Sequence, residues 1–190
     1  LTGEEAPGLM PAVDYIKTLR QTDDLGSLTV AKRCIVIGAG NTAIDMATQM
    51  ARLGATEVTL VYRRGIEAMS ATDHEQEIAK ANGVHMVTWA QPDEILLDDQ
   101  GRVAGMRFAK TVEQAGQLSP TGETIEIAAD AIFKAIGQSF DNTSLADATA
   151  AELARDGERI HVDEMFQTSL PNVYAGGDCV KPGQDLTVQA

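Results

Sequence analysis

The feature that most constrains this chain is a short apolar run that ends in glycines and is followed at once by a helical pattern. Residues 32–37 predict a buried strand that ends at Gly38, and residues 41–53 carry apolar side chains at helical spacing. A second, β-branched strand is predicted at residues 57–62. Because a helix connects them, the two strands should be parallel, which makes one βαβ unit.

The turn between the first strand and the helix has the sequence Gly38-Ala39-Gly40-Asn41-Thr42-Ala43, a GxGxxA pattern. In a βαβ unit, the first glycine allows a tight turn, the second lets pyrophosphate oxygens approach the backbone, and the small third residue packs the helix on the sheet. The amides and the dipole of the first helical turn attract the same anion. The pattern therefore predicts a dinucleotide site formed by Gly38, Ala39, Gly40, Asn41 and Thr42. The alternative is a turn that merely needs glycine.

Two arginines, Arg63 and Arg64, follow the second strand, where an acidic residue often binds the ribose of NAD. Guanidinium groups match the charge and the bidentate geometry of a phosphate. This position therefore predicts recognition of the 2′-phosphate of NADP(H). The alternative is that both arginines are solvated surface residues.

The remaining pattern indicates an α/β chain with a Rossmann-like central parallel sheet, helices on both faces and an antiparallel β-hairpin or meander insertion. Helices are predicted at residues 11–19 and 72–81, the second with a capping box from Thr72 and Glu75. Further strands are predicted at residues 84–88, 94–97, 103–109, 131–136, 159–162 and 172–178. Polar stretches predict loops at residues 111–123 and, with a short helix, at 141–156.

Three segments follow from this pattern. Residues 1–30 are expected to be a linker and an N-terminal helix, with the first nine residues as the linker itself. Residues 31–140 are expected to be the NAD(P)-binding domain, and residues 141–190 a return segment. The chain starts without Met, which suggests a piece of a longer protein.

Composition narrows the possible partners and the compartment. The net charge of −13 disfavours nucleic acid and anionic membrane surfaces. No segment approaches the roughly 18–20 consecutive apolar residues of a membrane span. Cys34 lies in an apolar run and is interpreted as a buried hydrophobe, and no Cys-x-x-Cys pair is present, so a reducing compartment, the cytoplasm, is expected.

No catalytic or metal-ligating group is predicted within the chain. The histidines, His74, His85 and His161, lack the spacing of metal ligands, and no nucleophile–base arrangement is readable. The absence of a Tyr-x-x-x-Lys pair disfavours a complete short dehydrogenase. If the chain is part of an oxidoreductase, bound cofactors would supply the chemistry.

The runs Val36–Asp45 and Val58–Arg64 together resemble the NAD(P)-binding domain of FAD-dependent reductases related to the glutamate synthase small subunit and dihydropyrimidine dehydrogenase. The segments Met69-Ser70-Ala71, Ala135-Ile136-Gly137-Gln138 and Ala175-Gly176-Gly177-Asp178 fit the same group. The resemblance covers nearly the whole chain.

The resemblance implies a flavoenzyme in which hydride passes from NADPH to FAD and electrons continue through iron–sulfur clusters outside this chain, toward a partner subunit. It places Ala135, Ile136 and Gly137 near the interface with the FAD domain, and Asp178 near the flavin. Some relatives carry a basic residue where this chain has Ser70, so NAD(H) remains possible. The chain alone is expected neither to retain FAD nor to turn over. A non-catalytic nucleotide-binding or interaction module remains the alternative.

Overall fold

The computed structural model describes residues 5–137 and 152–181, except for the side chain of Asp178. The chain divides into two compact units, Leu1–Ile136 and Gly137–Ala190. The first unit contains the predicted βαβ motif, and the second contains the return segment.

The first unit is built on a five-stranded parallel sheet with the order β1-β8-β2-β3-β4. Its strands are β1 (Leu9–Pro11), β2 (Arg33–Gly38), β3 (Glu57–Val61), β4 (His85–Val87) and β8 (Ala131–Ala135). The helices are α1 (Ala12–Gln21), α2 (Asn41–Arg52) and α3 (Asp73–Ala81). The parallel βαβ unit predicted around the glycines is confirmed as β2–α2–β3.

The side chains of β2 alternate between two separate cores, as the period of a strand requires. Cys34 and Val36 belong to the cluster that contains residues of all three helices. Ile35 and Ile37 belong to the cluster on the opposite face, which contains residues of an antiparallel sheet. The predicted strand is therefore buried on both faces, which explains why it reads as a continuous apolar run.

The α/β class, the parallel sheet and the antiparallel insertion are confirmed, but the helices are distributed differently from the expectation. Residues of α1, α2 and α3 all pack in one cluster, on one face of the parallel sheet. The other face is covered by β5 (Ala90–Leu97) and β6 (Val103–Gln114), through Ile95, Met106 and Phe108. Because the insertion has its own apolar face, no helix is needed there.

The insertion forms a three-stranded antiparallel sheet, β5-β6-β7, with β7 spanning Gln117–Ala128. The hairpin predicted around the turn at Asp98 is confirmed, with Gly101 donating its amide to the Asp98 carbonyl at 2.9 Å. The loop predicted at residues 111–123 is wrong, because these residues continue β6 and begin β7. They pair from Thr111↔Pro120 to Gln114↔Gln117. Most of this part of β7 is exposed, so backbone pairing and not burial holds it.

Two details near the helices complete the first unit. The expectation of a linker through residue 9 is wrong at its end, because Leu9–Pro11 forms β1 and pairs in parallel with β8. Its carbonyl and amide groups gain partners there that a free linker would lack. The capping box of Thr72 and Glu75 at the start of α3 is confirmed.

The second unit has little regular structure among its described residues. A short hairpin joins β9 (Arg155–Asp156) and β10 (Arg159–Ile160), so the strand predicted at 159–162 is present but shorter. A single antiparallel bridge, Gln167↔Tyr174, and a 3₁₀ turn at Gly177–Cys179 stand where the strand at 172–178 was predicted. The predicted loop and helix at 141–156 lie mostly outside the described residues.

Within the described ranges, none of the helices has both the length and the apolar character needed to cross a membrane.

Candidate dinucleotide-binding site

The predicted site lies at the carboxyl ends of the parallel strands, the edge where open α/β sheets bind ligands. β2 ends at Gly38, β3 at Val61 and β8 at Ala135. Gly38 pairs in register with Ala135, so the glycine loop and the start of the Ala135-Ile136-Gly137 segment are neighbours. The topology thus brings together two motifs that are about a hundred residues apart in sequence.

Gly38 is a glycine for reasons internal to the fold. Its φ of +152° lies in the region that favours glycine. A Cβ built on it would overlap the carbonyl oxygen of Ala135 and would lie 3.1 Å from the Cβ of Ala43. Ala43 is itself completely buried. The first glycine and the small third residue of the motif therefore permit the close contact of β2, β8 and α2.

Gly40 differs from Gly38 because nothing in the described part of the chain requires a glycine there. Its φ of −93° and ψ of 177° form an extended conformation that any residue adopts. An added Cβ would meet only the Oγ of Ser70, at 3.4 Å, which is close to an ordinary van der Waals contact. The space in front of Gly40 is therefore open, and a ligand could approach the backbone there. We call this open space at Gly40 the cradle.

α2 begins directly after this open position. Gly40 is its N-cap, and Asn41 and Thr42 are its first two residues. The N-cap, a glycine, offers no side chain to cap the helix, and the first turn contains no acidic residue. The positive end of a twelve-residue helix dipole is thus directed at the cradle, and no acidic residue of the first turn offsets it. An anion would be stabilised there.

The segment after β3 folds against the glycine loop. The amide of Ala71 donates to the carbonyl of Ala39 at 2.9 Å, and the Oγ of Ser70 lies 3.4 Å from the same oxygen. Met69 and Ala71 are buried in the same core as Ala39. The Met69-Ser70-Ala71 segment therefore supports one wall of the cradle, with the Ser70 hydroxyl next to Gly40.

The two arginines at the end of β3 are in different electrostatic surroundings. Arg63 is exposed, and its side chain makes no ion pair within the described part of the chain. Arg64 places its Nε 3.2 Å from Oε2 of Glu113, and both side chains are 35% exposed. Both arginines are therefore reachable from solvent, but only Arg64 has an internal counter-charge.

The backbone of both arginines is held by β6 and by the residue that precedes β5. Thr111 is buried, and its Oγ1 donates to the carbonyl of Arg63 at 2.7 Å. The amide of Trp89 donates to the carbonyl of Arg64 at 3.0 Å. Sequence reasoning missed Thr111 and Glu113, because both lie in a segment that was predicted to be a loop. The β-branched pair Thr111-Val112 is the signal that could have indicated a strand.

The remaining predicted residues lie at the end of β8 and in the second unit. Ala135 is the last residue of β8, and the side chain of Ile136, 70% exposed, follows it. Gly137 has a φ of +108°, where a side chain would be strained. The backbone of Asp178 lies in the 3₁₀ turn of the second unit, and its side chain lies outside the described part.

The one cysteine in the parallel sheet has no chemical role at the site. Burial raises the pKa of the Cys34 thiol to about 12, and its side chain is packed in the helical core. The thiolate is the reactive form of cysteine, so this thiol is inert. The interpretation of Cys34 as a buried hydrophobe is confirmed. Among the described residues, no group of three His, Cys, Asp or Glu side chains could hold a metal ion.

A parallel β-sheet with an open glycine loop at its carboxyl edge, covered on its second face by an antiparallel sheet, has the architecture of a Rossmann-type unit. Residues 3–190 match the family described as "Pyridine nucleotide-disulphide oxidoreductase", and the chain belongs to that family. The chain is thus part of an oxidoreductase family whose members bind FAD and nicotinamide dinucleotides.

Individual relatives agree with the family. The chain is 31% identical to the glutamate synthase (NADPH) small chain of Escherichia coli K12, with all of this chain and 44% of that protein aligned. It is 34% identical to the NADP(+)-dependent formate dehydrogenase subunit beta of Moorella thermoacetica, over 91% of this chain and 25% of that protein. The chain therefore spans less than half the length of these relatives. The resemblance to the glutamate synthase small subunit is confirmed, and that to dihydropyrimidine dehydrogenase stays a prediction.

Solved structures show the same fold. The thioredoxin reductase of T. acidophilum superposes with a TM-score of 0.66 at 22% identity, over 92% of this chain and 50% of that chain. An FAD-dependent pyridine nucleotide-disulphide oxidoreductase from Desulfovibrio vulgaris gives a TM-score of 0.61 at 21% identity, over 94% and 42% of the two chains.

Proposed function

We propose that this chain is the NADPH-binding part of an FAD-dependent oxidoreductase. The observation that carries the proposal is Gly40, which leaves an open cradle at the N-terminus of α2 although no described residue requires a glycine there. The E. coli and Moorella relatives carry NADPH or NADP(+) in their names, which agrees with this choice of cofactor.

Each group at the site has a separate task in this proposal. The backbone at Gly40 and the first turn of α2, with Asn41 and Thr42, would hold the pyrophosphate. Arg63 would bind the 2′-phosphate of the adenosine ribose, and Arg64 would assist it. Gly38 and Ala39 keep the loop in place, through Ala135 and Ala71 respectively. When bound, the nicotinamide supplies a hydride that FAD accepts.

The wider function extends beyond this chain. Ala135, Ile136 and Gly137 would lie near the interface with the FAD domain of the same protein, and Asp178 would contact the flavin. Electrons would pass to iron–sulfur clusters outside this chain and to a partner subunit. The cytoplasm stays the predicted compartment. Anaerobic mixing of the full flavoprotein with NADPH should bleach the flavin absorbance, whereas a nucleotide-sensing module would bind NADPH without bleaching.

Cofactor choice can be tested with Arg63→Ala and Arg64→Ala, measured by calorimetric titration with NADPH and NADH. A hydrogen bond to a charged group contributes about 1.5–3 kcal/mol, so two non-additive contacts predict roughly a 30- to 150-fold preference for NADPH. Arg63→Ala should weaken NADPH binding more than Arg64→Ala does, by about tenfold or more, because Glu113 partly neutralises Arg64. NADH affinity should barely change.

Arg102→Ala is the matched control, because Arg102 is exposed, paired with Asp98, and located at a hairpin turn of the antiparallel sheet. It should leave the affinities for both cofactors unchanged. Equal binding of NADPH and NADH by the wild-type chain would contradict the assignment of the two arginines. If Arg102→Ala loses as much NADPH affinity as Arg63→Ala, the loss comes from the net charge of the chain and not from the position of Arg63.

A further inference from the structure

The ion pair between Arg64 and Glu113 connects the proposed phosphate site to the three-stranded sheet. Glu113 stands one residue before the end of β6, and its Oε2 lies 3.2 Å from the Nε of Arg64. The contact is an ion pair at the Nε of the guanidinium, and this buried Nε makes no hydrogen bond among the described residues. Arg63, the preceding residue, has no such carboxylate among the described residues. Two adjacent arginines therefore carry unequal effective charge.

We propose that Glu113 is a specificity-determining residue that limits the preference for NADPH over NADH. This inference rests on the proposed function, because it assumes that the 2′-phosphate binds beside Arg63 and Arg64. A phosphate monoester carries close to two negative charges at neutral pH. A phosphate on the terminal nitrogens of Arg64 would be separated from the Glu113 carboxylate by a single guanidinium group. NADH has a hydroxyl in that place and would meet no comparable repulsion.

Glu113 could also favour phosphate binding by orienting Arg64, and the magnitudes decide between the two effects. Part-exposed ion pairs contribute little free energy, so the loss of orientation is a small penalty. The Glu113 carboxylate repels a phosphate that carries close to two negative charges. The same carboxylate also cancels much of the attraction between Arg64 and the phosphate. Repulsion and neutralisation therefore outweigh orientation, and removal of the carboxylate should strengthen NADPH binding.

The test is Glu113→Gln, which keeps the size and hydrogen-bonding capacity of the side chain and removes only the charge. We expect about three- to tenfold tighter binding of NADPH, measured by calorimetry at low ionic strength. NADH affinity should stay within about twofold, since the phosphate is absent. The gain should shrink as salt is added, because charges at exposed positions are screened.

Glu126→Gln is the matched control. Glu126 lies on β7 of the same sheet and pairs with Arg107, with its side chain 55% exposed. Glu126→Gln removes one negative charge from the same sheet, and it should change the affinity for neither NADPH nor NADH. If both variants tighten NADPH binding equally, net charge explains the effect and the inference about Glu113 is wrong.

Further variants separate the possible outcomes. Glu113→Thr removes the same charge with a residue that suits a strand, and it should reproduce the gain. In an Arg64→Ala background, Glu113→Gln should give less than half the gain, because neutralisation of Arg64 no longer contributes. Weaker or unchanged NADPH binding in Glu113→Gln would overturn the inference about Glu113 but not the proposed function. An equal change in NADH affinity would have the same consequence. A wild-type chain that binds neither cofactor would overturn the proposed function and, with it, this inference.

Discussion

At the scale of single residues, the two glycines of the loop have different physical origins. Gly38 is required by a positive φ and by its contacts with Ala135 and Ala43. Gly40 has an ordinary backbone conformation and open space in front of it. A sequence motif treats the two positions alike, whereas the structure divides them into one that serves the fold and one that is available to a ligand.

Gly38→Ala should be strongly destabilising. The added methyl group would combine backbone strain of about 1–3 kcal/mol with overpacking of about 1–3 kcal/mol against Ala135 and Ala43. We therefore expect a loss of about 3 kcal/mol or more in the free energy of unfolding, measured by urea titration. Gly116→Ala is the control, because Gly116 also has a positive φ, +79°, but a Cβ there would meet nothing within 4 Å. Equal losses in the two variants would show that the close contact at Gly38 contributes nothing.

At the scale of secondary-structure elements, the hairpin of β6 and β7 connects the core of the antiparallel sheet to the arginines. β6 buries Met106 and Phe108 near its middle. Further along the same strand, Thr111 bonds the carbonyl of Arg63 and Glu113 pairs with Arg64. The insertion therefore has two tasks: it covers one face of the parallel sheet, and it fixes the backbone that presents the proposed phosphate ligands.

Thr111→Val should test this connection. The substitution keeps the shape of the side chain but leaves the carbonyl of Arg63 without its 2.7 Å hydrogen bond from Thr111. A loss of about 1–2 kcal/mol in unfolding free energy is expected, together with weaker NADPH binding. Thr48→Val is the control, because the Thr48 hydroxyl is also buried but has no hydrogen-bond partner in the described part of the chain. That variant should be neutral or slightly stabilising, and comparable losses in both variants would contradict the role of Thr111.

The success of sequence reasoning also differs between elements. β2, α2 and β3 were predictable because their periodicity, capping residues and glycine positions all indicate one local structure. β7 was not, because most of its first half is exposed and Pro120 disfavours a strand. Pro120 is tolerated there because β7 is an edge strand, which only the assembled sheet reveals. The Arg64–Glu113 pair was hidden for the same reason, since 49 positions separate the two residues and β6 brings them together.

At the scale of the whole molecule, the sheet assembles motifs that are distant in sequence. Parallel pairing of β8 with β2 places Ala135 next to Gly38, and the insertion between β4 and β8 returns to the end of β3. The glycine loop, the arginines and the end of β8 thereby all belong to the first unit. In the proposed function, this convergence would let the chain hold a long, extended cofactor at several points.

The central claim is that the chain binds a nicotinamide dinucleotide through the open cradle at Gly40, and Gly40→Val tests it most directly. Valine would fill the cradle while leaving the core unchanged, so the unfolding free energy should fall by only about 1 kcal/mol, the cost of a poorer N-cap. Calorimetric titration should detect NADPH binding to the wild-type chain and none to the variant, whose circular dichroism should match the wild type. Unchanged NADPH affinity in a folded Gly40→Val chain would contradict the account.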